Sequence, residues 1–220
     1  MNKIKRFFLS LIYPQRCPYC DRLITYEKIA CDDCKKEFPE TYSMNYAKGG
    51  FPCCSPFFYK DGFREAVIRF KFHNRRGYSQ NLAVVLSDCI KKYYDPGAID
   101  YITYVPMFPL KQRMRGYNQS KLLAGDIGKE LGIPFNTFLK KVKDNEPQHT
   151  CTSKAQRREN VKGVYKTVNT ENIKGKTVLI IDDIITTGYT LGECCRVLER
   201  KSKAKIICAT LCAKNDINSG

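Results

Sequence analysis

The sequence predicts an α/β protein in which helices flank a parallel sheet and a small cysteine-rich module precedes the sheet. Continuous apolar runs alternate with amphipathic segments along most of the chain, as expected when strands are covered on both faces. Two cysteine pairs stand near the N-terminus, before this alternation begins. With 220 residues, of which 43% are hydrophobic, the chain is long enough for one substantial core and a small appended module.

The N-terminal segment combines basic residues with a short apolar run. Residues 4–12 place apolar side chains at helical spacing, which predicts an amphipathic helix that packs on the rest of the protein; a peripheral membrane contact is the alternative. The order resembles a signal peptide, but no small-residue cleavage site follows. No segment approaches the roughly 20 apolar residues that span a bilayer. We therefore expect a cytoplasmic protein without a transmembrane segment.

Two C-x2-C knuckles follow this helix. Cys17, Cys20, Cys31 and Cys34 form two pairs with ten residues between them, a spacing that lets four thiolates converge on one zinc ion. Most of the other eight cysteines are expected to be small apolar residues without a ligand role. The pattern predicts a structural Zn²⁺ and a reducing compartment, in preference to a secreted disulfide scaffold.

A segment rich in glycine, proline and polar residues, 41–56, predicts the boundary between an N-terminal helix and zinc-finger module in residues 1–50 and a larger domain in residues 51–220. Strands that alternate with helices after this boundary predict a parallel sheet with helices on both faces. The first helix is expected to turn Phe63, Val67, Ile68 and Phe72 inward. The predicted helices are 61–72, 82–94, 118–131 and 191–200, and the predicted strands are 101–105, 178–181 and 205–212.

The most informative segment is residues 178–190, V-L-I-I-D-D-I-I-T-T-G-Y-T. Its apolar start predicts a buried strand, so Asp182 and Asp183 are expected where the chain leaves the sheet, at the edge where open α/β sheets bind ligands. Adjacent carboxylates accept hydrogen bonds from the vicinal hydroxyls of a ribose. The hydroxyls and closely spaced N–H groups that follow, before a helix, suit a phosphate. An ordinary buried strand with an acidic turn is the alternative.

This segment resembles the phosphoribosyl pyrophosphate (PRPP) signature of type I phosphoribosyltransferases, in which four hydrophobic residues precede two acids and a small hydroxyl-rich glycine turn. The resemblance implies a type I phosphoribosyltransferase-like sheet, with Mg²⁺ bound together with PRPP. It implies that Asp182 and Asp183 are the catalytic carboxylates that orient the ribose. It assigns PRPP binding to Asp182, Asp183, Thr186, Thr187, Gly188, Tyr189 and Thr190.

A cationic loop is predicted after the strand at 101–105. Lys111, Arg113 and Arg115 stand just before Gly116 and a helix, an arrangement that suits a pyrophosphate, whereas a solvated basic loop is the alternative. Phosphoribosyltransferases place their pyrophosphate loop after the equivalent strand. The resemblance therefore makes all three cations candidates and selects none of them.

Residues 140–162 are polar, basic and weakly periodic, so they form either a cover or an ordinary surface connection. By the same resemblance, this segment corresponds to the flexible hood that closes over PRPP. Its candidate residues are Lys154, Arg157 and Arg158, with Gln148 and Gln156 as further lining residues. His149 receives no catalytic role, because a lone surface histidine is more often inert.

Several blocks together resemble the ComF (ComFC) family of competence-associated proteins. The discriminating ones are R-G-Y-N-Q at 115–119 and Q-R-R-E-N-V-K-G at 156–163, and the resemblance covers nearly the whole chain. It implies handling of single-stranded DNA in the cytoplasm during natural transformation, with proteins of the competence machinery as candidate partners. Some family members carry a second zinc knuckle where this sequence has only Cys53-Cys54, so we expect one zinc ion.

Two functional classes stay open at this point. The first is a phosphoribosyltransferase that binds PRPP, or a related ribose phosphate, and uses an unknown acceptor. The second is a non-catalytic DNA-binding or regulatory protein that keeps the PRPP pocket as a sensor; a net charge of +16 favours phosphate-rich partners for either class. Aromatic residues near the knuckles would stack on bases or fill a small core: Tyr19, Phe38, Phe57, Phe58 and Tyr59.

Overall fold

The structure is a computed structural model that describes residues 14–25, 27–72, 75–146 and 150–214. The predicted N-terminal helix, Gln148 and His149 lie outside the described residues. The helices are α1 (Asp32–Lys36), α2 (Asp61–Phe72), α3 (Tyr78–Tyr93), α4 (Pro109–Arg115), α5 (Gln119–Leu131), α6 (Lys154–Val161) and α7 (Tyr189–Ser202). The strands are β1 (Ser43–Ala47), β2 (Phe51–Ser55), β3 (Phe57–Phe58), β4 (Tyr101–Tyr104), β5 (Leu139–Lys141), β6 (Tyr165–Thr167), β7 (Thr177–Ile185) and β8 (Lys205–Ala213).

A six-stranded sheet forms the centre of the protein. Its order is β1-β2-β8-β7-β4, and β3 also pairs with β8. All of these pairs are parallel except the pair between β1 and β2. The predicted parallel sheet is thereby confirmed, with one antiparallel strand added at its edge. A separate two-stranded antiparallel sheet is formed by β5 and β6.

Strand β7, which lies between β8 and the edge strand β4, is buried on both faces. Leu179 and Ile181 pack in one core with residues of α3 and α5, while Val178 and Ile180 pack in a second core with residues of α7. All four side chains have no solvent exposure. Full burial of an aliphatic side chain contributes about 1.5–3 kcal/mol, so the strand is anchored in the core before its functional residues begin.

The segment that the sequence predicted as a boundary, residues 41–56, contains a hairpin instead. β1 and β2 pair from Ser43 opposite Ser55 to Ala47 opposite Phe51, with the turn at Gly49-Gly50. The prediction was based on the glycine and proline content of the segment. The segment forms strands because β2 pairs with β8, which lies far along the chain. The expected division at residue 50 falls in this turn, and β1 pairs within the main sheet. The division into two domains stays a prediction.

Helix α2 has the bounds that the sequence predicted, but its buried face differs at the C-terminal end. Val67 is buried as expected, whereas Phe72 is 64% exposed and Phe70 is fully buried in its place. Phe72 packs under the guanidinium of Arg115, which lies 4.9 Å from its ring centroid. No helix in the part of the chain that the structure describes has the length and apolar character to cross a bilayer.

An aromatic cluster joins the cysteine-rich segment to the sheet and α2. Tyr19 contacts Phe38 edge to face at 5.0 Å between ring centroids, and Phe57 stacks on Phe63 at 4.1 Å. Tyr19 and Phe57 are only 4% and 2% exposed. These rings therefore fill a small core and are not available to stack on bases, whereas Phe58 is 40% exposed.

The far edge of the sheet is covered by the chain that follows α5. On β4, Ile102 donates its N–H to the carbonyl of Pro134 at 2.9 Å and accepts from the N–H of Asn136 at 2.9 Å. A bridge between Ile102 and Phe135 belongs to the same contact. The outward backbone groups of Ile102 are therefore satisfied within the chain.

Candidate functional site

The two adjacent carboxylates lie inside a strand. β7 continues past Asp182 and Asp183 to Ile185 because β8 pairs with it along this length, with Asp182 opposite Thr210. The expectation that the chain leaves the sheet at Asp182 is therefore wrong. On the other side, β4 pairs with β7 only as far as Ile181. Asp182 and Asp183 therefore lie just beyond the end of the pairing with β4, in a part of β7 that pairs only with β8.

Two helices supply the polar partners of these carboxylates. Asp183 is 7% exposed and forms an ion pair of 2.8 Å with the Nζ of Lys71, at the C-terminal end of α2. Asp182 accepts hydrogen bonds from the Oγ of Ser120 at 2.8 Å and from the N–H of Asp183 at 2.9 Å. The first turn of α5 carries Ser120. The orientation of each carboxylate therefore depends on a different helix.

Burial and neighbouring charge decide the protonation of this group. Burial, and then the adjacent charge of Asp183, raise the pKa of Asp182 to about 7. Burial alone would lower the pKa of Lys71, but the carboxylates of Asp183 and Asp182 raise it above its ordinary value. Lys71 therefore stays an ammonium ion at neutral pH. Asp182 therefore titrates near neutral pH.

All seven residues that the PRPP resemblance selected line one cavity of about 440 Å³. Within it, Gly188 has a φ of +73° and begins α7 without a side-chain cap, so the first amides of this helix lack a side-chain acceptor. An aligned row of such N–H groups with the helix dipole favours an anion. The remaining lining residues are Tyr59, Lys71, Ile184, Ile185 and Leu191.

The hairpin turn packs against the start of α7. The N–H of Lys48 donates to the carbonyl of Gly188 at 3.2 Å, and a Cβ at Gly192 would lie 2.2 Å from the carbonyl oxygen of Lys48. Only a residue without a side chain fits this contact at position 192. The turn between β1 and β2 therefore supports helix α7, which begins within the candidate phosphate cradle, residues 186–190.

Two of the three pyrophosphate candidates adjoin the carboxylates. The predicted loop is helix α4, and its Lys111 and Arg115 line a second cavity of about 940 Å³ that also contains Asp182 and Asp183. Lys111 forms an ion pair of 2.7 Å with Asp144. Arg113 is exposed and does not line this cavity. The structure thus separates Arg113 from the other two cations, a distinction that the sequence left open.

The hood candidates do not line either cavity of the carboxylates. Lys154, Arg157 and Arg158 belong to α6, which begins with a capping box between Ser153 and Gln156. Arg158 lines a separate cavity of about 500 Å³ near the hairpin turn and α7, and Lys154 is exposed. In this structure α6 therefore packs beside the candidate site, and the assignment of these residues to a hood stays a prediction.

Lys71 and Ser120 are site residues that the sequence reasoning missed. Lys71 follows Val67 by four positions and Phe63 by eight, so it falls on the apolar face of α2. A lysine on a buried helix face needs a charged partner, so its position in the sequence could have identified Lys71 as a candidate. No comparable signal marks Ser120, because its role depends on how α5 meets β7.

The four cysteines of the two knuckles form a compact cluster. Their sulfur atoms all lie within 4.8 Å of one another, and the sulfurs of Cys20 and Cys31 are 3.5 Å apart. Zinc–sulfur bonds of about 2.3 Å place the sulfurs of a tetrahedral site roughly 3.8 Å apart, so the cluster fits a metal ion such as Zn²⁺. The N–H of Cys31 donates to the sulfur of Cys17 at 3.4 Å. Burial opposes ionisation of Cys20, but hydrogen bonds from Arg22 lower its pKa to about 6.

The fold is that of a phosphoribosyltransferase-like domain that follows an N-terminal four-cysteine cluster. The family model described as "Phosphoribosyl transferase domain" matches residues 118–217. This range includes α5, β7 and the candidate phosphate cradle.

The chain is similar to proteins named for competence and for the use of DNA. Competence protein F of Haemophilus influenzae is 29% identical over 189 residues, which cover 84% of this chain and 78% of that protein. Competence protein ComFC of Bacillus subtilis is 26% identical over 193 residues, or 86% of this chain and 73% of that protein. DNA utilization protein YhgH of Escherichia coli strain K12 is 24% identical over 200 residues, or 89% and 83%.

Proposed function

We propose that the protein binds PRPP, or a related ribose phosphate, and transfers its phosphoribosyl group to an acceptor. The observation that carries this proposal is the single cavity that joins the paired carboxylates to the hydroxyl-rich turn at the start of α7. Acceptor-only carboxylates suit the ribose hydroxyls, and the turn suits the 5′-phosphate. The cavity also favours a ligand site over an ordinary acidic turn, because the buried Asp183 and the partly buried Asp182 both line it.

The residues around the cavity have separate roles in this reaction. Asp182 orients the ribose, and Asp183 holds Lys71 at the floor of the site by the ion pair described above. Lys111 and Arg115 stabilise the departing pyrophosphate, because cations placed where charge develops lower the barrier to bond breaking. When bound, Mg²⁺ supplies further positive charge to the pyrophosphate and ribose oxygens. No protein nucleophile is needed.

We further propose that this activity serves DNA handling in the cytoplasm, in company with proteins of the competence machinery. The names of the relatives support this, since two are competence proteins and a third is a DNA utilization protein. The net charge of +16 supports single-stranded DNA as a partner, with an affinity that falls steeply with salt. The alternative is a non-catalytic protein that uses the same pocket as a PRPP sensor.

Thermal unfolding with and without PRPP and Mg²⁺ tests the pocket. At a ligand concentration about 100 times its dissociation constant, the wild type should gain roughly 2.7 kcal/mol. Asp182→Asn keeps the hydrogen-bond acceptor but removes the charge, so affinity should fall about tenfold or more. Asp88→Asn is the matched control, because Asp88 is an exposed carboxylate on α3. A wild type whose melting temperature is indifferent to PRPP would refute the proposal.

Release of pyrophosphate separates the enzyme from the sensor. The wild type should release pyrophosphate from PRPP when supplied with its acceptor, to be found among nucleobases, amines and single-stranded DNA. Binding of PRPP without turnover against any acceptor of these classes would favour the sensor.

A further inference from the structure

The last turn of α2 contacts the first cysteine knuckle. The guanidinium of Arg69 donates to the carbonyl of Tyr19 at 2.8 Å and to that of Pro18 at 3.3 Å. Both carbonyls lie between Cys17 and Cys20, the first pair of candidate metal ligands. The position of this helix end is therefore tied to the conformation of the knuckle.

The residues next to Arg69 reach the candidate active site. The carbonyl of Phe70 accepts a hydrogen bond from the hydroxyl of Tyr117, between α4 and α5. Lys71 forms the ion pair with Asp183 and lines both cavities of the carboxylates. Three consecutive residues of α2 thus connect the knuckle, the approach to α5 and the carboxylate strand.

A second contact joins the same parts of the molecule. Asp21, directly after the first knuckle, accepts hydrogen bonds from the hydroxyl of Tyr78 and from the guanidinium of Arg75 at 3.2 Å. Arg76, between these two partners, donates to the carbonyl of Gly116 at 2.7 Å, just beyond α4. The knuckle is therefore fixed to both sides of the connection between α2 and α3.

We propose that the four-cysteine module positions Lys71 through Arg69, so that metal binding at the cysteines and ribose-phosphate binding at the carboxylates strengthen each other. The inference rests on the proposed function. Metal binding orders the Pro18 and Tyr19 carbonyls, which fix the end of α2 and keep Lys71 against Asp183. Because coupling between two binding sites is reciprocal, each ligand should raise the affinity for the other by the same factor.

Calorimetric titration of the zinc-loaded protein with PRPP and Mg²⁺ tests this role of Arg69. Arg69→Ala should weaken binding about tenfold, and Arg69→Lys should fall between, because one ammonium group replaces the planar fork that reaches two carbonyls. Arg200→Ala is the control, since Arg200 is exposed in the last turn of α7, at the end of that helix away from the carboxylate cavity. It should bind like the wild type.

The reciprocal measurement is zinc affinity, determined by competition with a chelator. In the wild type, saturating PRPP with excess Mg²⁺ should raise zinc affinity by the factor that zinc gives to PRPP affinity. In Arg69→Ala this gain should disappear, an effect that a purely structural role of Arg69 would not produce. Asp182→Asn controls for zinc binding by PRPP itself: at a PRPP concentration that saturates the wild type but not this variant, its zinc affinity should rise less than that of the wild type.

The outcomes separate this inference from the function on which it rests. A wild type that fails to bind PRPP overturns both. The coupling alone is overturned if the wild type binds PRPP but its zinc affinity does not change when PRPP is added. It is also overturned if Arg69→Ala binds PRPP with the affinity of the wild type. Should Arg69→Ala fail to fold, the Arg69→Lys variant and the wild-type zinc titration still decide the question.

Discussion

The carboxyl end of β7 and the four-cysteine module are held together by different forces. β7 is hydrogen-bonded to β8 along its length, and its apolar residues are fully buried in two cores. Among described residues 14–25 and 27–40, the buried ones are Cys17, Pro18, Tyr19 and Ala30. The sheet therefore builds the candidate site without a ligand, whereas the small core of the module leads us to expect that its folding depends on metal binding by its thiols.

The largest expected effect comes from removing the metal ligands. Cys17→Ser with Cys31→Ser should leave the module unfolded while the sheet persists, because metal binding contributes about 10–16 kcal/mol in small zinc modules. Limited proteolysis should then cut within residues 14–40, and elemental analysis should fall from one zinc per chain to none. Cys151→Ser, which removes a partly exposed thiol outside the cluster, is the control. A metal-free wild type with a protease-resistant module would show that the module folds without metal, which contradicts the prediction.

A smaller effect should appear in the pH dependence of stability. The pKa of Asp182 is about 7 in the folded protein against an ordinary 3.8, so the native state keeps a proton that the unfolded chain has lost between these values. Stability should therefore fall as pH rises from about 4 to 7, by at most about 3 kcal/mol between pH 5 and 7.

Asp182→Asn removes this contribution and serves as the reference. Denaturant unfolding of both proteins across this range should show curves that diverge as the pH rises, with the variant becoming relatively more stable. Parallel curves would mean that the carboxylate titrates alike in the folded and unfolded states, and that the sheet does not bury Asp182 as described.

The smallest effect tests how rigidly the hairpin turn supports α7. Gly192→Ala would place a Cβ against the Lys48 carbonyl, so unfolding free energy should drop by about 2 kcal/mol. Gly125→Ala on α5 is the matched control, since no atom lies within 4 Å of its Cβ position, and it should stabilise by about 0.5–1 kcal/mol. Chemical denaturation measures both. If both variants gained the same unfolding free energy, the hairpin turn would have to move away from the new Cβ at little cost, which contradicts a rigid support of α7.

The sequence predicted the parts of the fold that local patterns encode. The apolar run at 178–181 identified the buried strand β7, and the spacing of Phe63 and Val67 identified α2 with its observed bounds. The cysteine spacing led to a cluster in which all four sulfurs are close together. In each case, the residues that form the pattern are close together in the sequence and themselves form the strand, the helix or the cluster.

The remaining features depend on contacts between distant segments. β2 becomes a strand because β8, more than 150 residues later, pairs with it, and β1 pairs in turn with β2. β7 continues past Asp182 for the same reason. Lys111 and Arg115 line the cavity and Arg113 does not, because of the way α4 lies against it. The sequence does not give the orientation of α4, so it could not distinguish these three cations.

The chain that covers β4 has a consequence for assembly. An exposed edge strand offers free amide and carbonyl groups to a strand of another molecule, and such pairing leads to aggregation. Here Pro134 and Asn136 already occupy those groups of Ile102. At Ile102, pairing of β4 with a strand from another copy of the protein is therefore blocked.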